Sequence, residues 1–140
     1  MTSRVYIETS LVSYLTARPS RDIVIEGQQQ LTAEWWKTHR QRFDLYISDV
    51  VLRESARGDP SAAARRLEAL DGIPVLVTDD RSDALAKLFV TRNVIPAKAA
   101  DDAAHVALAT IQEIDFLLTW NCTHIANAEV VKRMWTCPLF

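Results

Sequence analysis

Four short runs of consecutive apolar residues, each closed by a polar residue and separated by helix-patterned stretches, constrain this chain more than any other feature. The runs cover residues 5–7, 45–47, 73–77 and 116–120. Between and after them, apolar spacing predicts helices over 11–15, 23–43, 50–57, 61–70, 81–92, 98–114 and 126–135. Breaks such as Gly58-Asp59-Pro60 and Asp71-Gly72 punctuate these segments. Strands that are apolar throughout are buried on both faces, so the pattern predicts a parallel sheet flanked by helices. The expectation is one α/β domain over residues 1–140, with a central, mostly parallel sheet of four to five strands. A chain of 140 residues can bury such a core without disulfide staples. In open sheets of this kind, ligands sit beyond the carboxyl ends of the strands, near the point where strand order reverses. Glu8, Ser48-Asp49 and Asn121 all fall at such ends.

Composition narrows the function classes. The formal charge is -2, so any grip on nucleic acid must come from local basic groups rather than from a global positive field. No apolar stretch approaches the ~20 residues of a membrane-spanning helix. The N-terminal run meets a charged residue too early for a secretory signal. Cys122 and Cys137 form no CxxC pair, and with His105 and His124 they lack zinc-finger spacing. These features lead to the expectation of a cytoplasmic protein with reduced thiols and no membrane association. The chain has no GxxxxGK[ST] loop, no GxSxG elbow and no GxGxxG turn after its first strand, which removes a P-loop NTPase, argues against a typical α/β-hydrolase and leaves dinucleotide binding without support.

What remains is a set of acids. Glu8 follows the first strand. Glu54 lies one turn into the helix after the second. Asp101 and Asp102 open the Ala-rich helix, and Asn121 follows the fourth strand. Singly, each has an ordinary structural reading: a solvated strand end, an exposed helix residue, two acids complementing a helix dipole, and a turn residue.

Together, four stretches carry a likeness: Val5-Tyr6-Ile7-Glu8-Thr9-Ser10, Val50-Val51-Leu52-Arg53-Glu54, Asp102-Ala103-Ala104-His105-Val106-Ala107-Leu108-Ala109, and Leu117-Leu118-Thr119-Trp120-Asn121. In order and separation they resemble the PIN domain, a metal-dependent nuclease fold, and most of all the VapC-type toxin nucleases of toxin–antitoxin pairs. The resemblance spans nearly the whole chain. It implies that Glu8, Glu54, Asp102 and Asn121 fill the four acidic positions of the catalytic cluster. Ser10 and Thr119 then sit where hydroxyls support that cluster, with Asp101 as an assisting neighbour. It further implies an RNA substrate, Mg2+ or Mn2+, a cognate antitoxin packed in a groove near the first helices beside Trp35 or Trp36, and a homodimer. Two departures stand out: Glu8 replaces the family's usual Asp, and the chain ends at Cys137-Pro138-Leu139-Phe140 where a small final strand is expected.

The chemistry fits these residue types. Converging carboxylates repel one another until a hard divalent cation turns repulsion into coordination. Such a cation activates water and stabilises charge on a phosphodiester. Glu8, Glu54 and Asp102 are the expected metal ligands. Arg53 and Arg57, flanking Glu54, are candidates for holding substrate phosphate, and His105, three residues past Asp102, for touching substrate or a carboxylate. The competing expectation is a PIN-like module that binds nucleic acid or protein with weak or no turnover. A third, a purely structural sheet with ordinary helix-end acids, predicts no affinity for divalent ions.

Overall fold

The computed structural model describes residues 2–137. Four parallel strands form the sheet: β1 (Arg4–Ile7), β2 (Asp44–Ser48), β3 (Val75–Leu76) and β4 (Phe116–Leu118), in spatial order β3-β2-β1-β4. Seven α-helices connect and cover them: α1 (Thr9–Thr16), α2 (Ile23–Thr38), α3 (Asp49–Ser55), α4 (Pro60–Leu70), α5 (Asp80–Thr91), α6 (Ala100–Ile111) and α7 (Ala128–Trp135). The chain runs outward from β1 to β2 to β3 and then crosses back to lay β4 against the other side of β1. Strand order therefore reverses between β1 and β4.

Helix starts follow local chemistry. Ser48 caps α3, Asp59 caps α4 with Pro60 at its first position, Asp79 and Ser82 form a reciprocal capping box on α5, and Asn127 caps α7. The Asp79 carboxyl is held below its ordinary range by the Ser82 backbone N–H. Two apolar clusters hold the layers together. One joins β1, β2, α1 and the inner side of α6 through Tyr6, Ile7, Val12, Ile47 and Leu108. The other joins α5, α6 and α7 through Leu85, Phe89, Ala103, Ala107 and Val130. No helix among the described residues is long and apolar enough to cross a membrane.

Several predicted boundaries move. The helix expected over 23–43 stops at Thr38, and a 3-10 turn (Arg40–Arg42) follows. Phe43 stacks on Trp35 with ring centroids 5.9 Å apart. Eight residues of continuous helix would carry the backbone about 12 Å further on, so this stack requires the chain to turn back. The helix expected over 98–114 begins at Ala100, after a 3-10 turn (Ala97–Ala99), and ends at Ile111. Glu113 there adopts φ 55°, a left-handed stop made without glycine. The third strand shrinks to Val75–Leu76 because Pro74 has no N–H to give; its carbonyl still accepts from Ile47. The fourth ends at Leu118, since Thr119 leaves the ladder. The sheet has four strands among the described residues. The expected change at the tail falls on 138–140, outside the described residues.

Candidate active site

Glu8 is built by the junction of β1 and α1. It is the N-cap of α1, extended at φ -83° and ψ 155°. Short side chains usually fill this role. Glu8 does so by curling back: Oε2 accepts from the Ser10 backbone N–H at 3.0 Å, and Oε1 accepts the hydroxyls of Ser10 and Thr119. Its own N–H donates to the Leu118 carbonyl at 3.1 Å, which ties it to β4. The residue is only 4% exposed, so its charge is held by directed donors rather than by water.

Glu54 comes from α3, whose start at Ser48 sets its reach. Its Oε1 accepts from the Thr9 hydroxyl at 2.6 Å and lies 2.5 Å from His105 Nε2. Burial opposes ionisation of Glu54, but the hydrogen bond from His105, the charge of that ring when it is protonated in acid, the hydrogen bond from Thr9 and the positive charge of Arg57 outweigh it, and its carboxyl is held below the usual range. His105 itself is fully buried on α6. Its Nδ1 is 2.6 Å from the Tyr6 hydroxyl, which is 2.7 Å from Ser48 Oγ. Burial, reinforced by the charges of Glu8 and Glu54, pushes the Tyr6 phenol well above its ordinary range, so it keeps its proton.

One ligand-type atom from each of Glu8, Glu54 and His105 lies within 4.8 Å of the others. The donors on the two carboxylates are unevenly placed. Oε1 of each is doubly bonded by protein donors, while Glu8 Oε2 carries a single backbone donor and Glu54 Oε2 none among the described residues. Two anionic groups brought this close, each with an oxygen to spare, form a donor set that suits a hard divalent cation. The cluster sits beyond the carboxyl end of β1 at the β1/β4 reversal.

The remaining predicted residues form a separate rim. Asp102, one helical turn before His105, lies outside the three-residue cluster; its Oδ2 is 2.9 Å from His124 Nδ1. Asp101 takes Arg53 at 2.7 Å and Arg57 at 3.3 Å, joining α6 to α3 and to the turn after it at the surface. Asn121 accepts the His124 backbone N–H at 3.0 Å and so shapes the loop after β4. His105 lies beneath the carboxylates rather than at the surface. Ser10 and Thr119 both donate to Glu8, and Ser10 Oγ also accepts the Trp120 N–H at 2.8 Å.

Sequence reasoning missed Tyr6, Thr9 and Ser48 as members of this cluster. Tyr6 at the centre of a buried strand reads as core, and its hydroxyl is the one signal that it could do more. Thr9 reads as a helix-start residue, and Ser48 was marked only as a strand end where ligands gather, with no partner named for it. A groove of about 450 Å3 runs beside the site and is lined by Leu11, Leu31, Thr32, Trp35, Leu118 and Trp120 among others. Trp36 instead lies under the Arg40 guanidinium, 4.2 Å from ring centre to charge.

No protein-family model matches the sequence, and no curated protein matches it. Among solved structures, the chain is similar to VapC20 of Mycobacterium tuberculosis, a sarcin-ricin loop cleaving toxin, with a TM-score of 0.66 over 86% of this chain and 92% of that one. Identity between them is 16%, so the likeness is one of fold: the architecture is PIN-like, as the resemblance implied.

Proposed function

We propose that this chain is a Mg2+- or Mn2+-dependent endoribonuclease, the toxin of a toxin–antitoxin pair. The observation that carries this reading is the convergence of Glu8 and Glu54, each with a spare oxygen, at the strand-order reversal of a PIN-like sheet. A bound divalent cation supplies an activated water and stabilises charge on the phosphodiester. In this reading Glu8, Glu54 and Asp102 would hold the ion, the two glutamates offering their less occupied oxygens. Asn121 orients the loop at the fourth position. Arg53 and Arg57, more than half exposed, exchange Asp101 for a backbone phosphate of the substrate. No side chain forms a covalent intermediate.

The partners follow from the same reading. VapC20 is described as cleaving the sarcin-ricin loop, which supports RNA as the substrate class without carrying over that target. The groove containing Trp35 gives an antitoxin segment a largely apolar seat. A homodimer acting in the cytoplasm belongs to the same proposal.

The test is cleavage of a mixed RNA substrate with Mn2+, Mg2+ or EDTA, wild type beside Asp102→Ala. Metal-dependent cleavage that the variant loses supports the reading; equal cleavage by both overturns it. A second reading, a binding module with weak or no turnover, draws on Asp101 and Asp102 both being paired with cationic or imidazole groups. It predicts RNA or protein binding with no metal-dependent multiple turnover.

A further inference from the structure

We infer that Tyr6 and His105 are positioning residues for the metal centre, joined in a one-way hydrogen-bond chain from Ser48 that pins one oxygen of Glu54 and leaves the other free. The inference rests on the metal-centre reading above. Its argument is a count of donors in a closed space. Ser48, Tyr6 and His105 are all fully buried, so every proton among them needs an acceptor inside the protein. Ser48 Oγ already accepts the Val51 N–H at 3.2 Å. Its hydroxyl proton finds the Tyr6 oxygen, 2.7 Å away. Tyr6 then donates to Nδ1 of His105, 2.6 Å away, which must be the unprotonated nitrogen. The ring proton is therefore on Nε2 and points at Glu54 Oε1.

Reversing the direction fails. If Nδ1 carried the only ring proton, a bare Nε2 would face the ionised Glu54 oxygen at 2.5 Å, two electron-rich atoms in contact. If both nitrogens carried protons, Tyr6 would have to donate to Ser48. The Ser48 hydroxyl proton would then have no acceptor among the described residues. Only the first arrangement satisfies each group. Thr9 adds a second donor on the same Glu54 oxygen, so Oε1 is saturated and the rotation of the carboxylate is set. Tyr6 does not touch a cation or a substrate; it acts through His105. Partners of this kind, one shell behind the ligands, tune metal affinity by about 10–100-fold.

Two measurements test this. The 15N spectrum of the metal-free wild-type protein, with His105 identified by its loss in His105→Gln, should show the proton on Nε2 and none on Nδ1. Mn2+ affinity should fall about 10–100-fold in Tyr6→Phe. A Phe89→Leu variant, which loosens the α5–α6–α7 cluster, should lose stability but keep its Mn2+ affinity. A ring protonated on Nδ1, or on both nitrogens, overturns the chain whatever the variants do. Bound Mn2+ with unchanged affinity in Tyr6→Phe overturns the positioning role alone. Absence of Mn2+ binding by the wild type overturns the metal-centre reading, and the positioning role with it.

Discussion

Glu8 and Glu54 are held from inside the protein by hydroxyls, a backbone N–H and a buried imidazole, whereas Asp101 and Asp102 are held from outside by side chains that reach across the surface. All four carboxylates accept hydrogen bonds from protein groups. The inner partners are fixed by the packing of β1, α1, α3 and α6, and they leave oxygens over. The outer partners, Arg53, Arg57 and His124, are themselves partly exposed. Exposed pairs are worth ~0–1 kcal/mol and exchange readily. A buried acceptor stripped of its donor costs about 1–3 kcal/mol. The inner half is therefore a fixed cradle and the outer half an adjustable rim.

The sharpest way to break this contrast is Glu8→Gln. If Glu8 holds a catalytic cation, the variant forgoes several kcal/mol of charge stabilisation, so cleavage of RNA should fall by at least about a hundredfold. Its metal-free melting temperature should fall, because one carboxylate oxygen becomes an amide nitrogen that accepts none of the Ser10 and Thr119 donors, a loss that relief of repulsion with Glu54 only partly offsets. Retained cleavage would show that Glu8 is only a cap. His105→Ala comes next. It removes a donor from Glu54, strands the Tyr6 hydroxyl and opens a cavity, and should lower unfolding stability by about 2–4 kcal/mol in denaturant titrations. A loss under 1 kcal/mol would place the inner half among the adjustable contacts.

The pH profile probes the inner half through Glu54. Glu54 titrates lower when folded than its ordinary 4.5. The unfolded chain therefore binds the proton first as pH falls, and the stability that Glu54 contributes is full above that value and is lost as pH drops through the folded one. Acid titration of stability should show this loss in the wild type and in Asp101→Asn, and less of it in Glu54→Gln. An inner exception gives a smaller effect. Ser55 Oγ, next to Glu54, is buried with no partner among the described residues. Ser55→Ala should raise stability by about 1 kcal/mol, and a decrease would reveal a partner. Smallest is Asp101→Asn, expected to change stability by under ~0.5 kcal/mol and to lose even that in high salt. A larger, salt-insensitive loss would erase the distinction between cradle and rim.

The two halves also differ in how far the sequence disclosed them. Glu8 was legible at a strand end, where open sheets bind ligands, whereas Glu54 alone read as an exposed helix residue and gained its role from the family likeness. Ser10 and Thr119 entered through the family likeness, and both are found on Glu8. Asp102 came from the same likeness, yet its partner is His124, which the sequence singled out only for lacking zinc-finger spacing. Tyr6 stayed hidden because a tyrosine in a buried strand has an adequate apolar explanation, and only the approach of α6 gives its hydroxyl a partner 99 residues away. Helix lengths misled where tertiary contacts overrode local pattern. The Trp35–Phe43 stack ends α2 early, and the left-handed Glu113 stops α6 with none of the glycine that normally announces such a turn.

The return of β4 to the side of β1 has a consequence for biosynthesis. Thr119 meets Glu8 across 111 residues of sequence, so the cradle lacks one of its walls until β4 has been made and has paired with β1. Contacts of such long sequence separation form late, after the loops between them have been ordered. A chain cut before residue 116 lacks β4 and Thr119, and so presents Glu8 with one wall of its cradle missing.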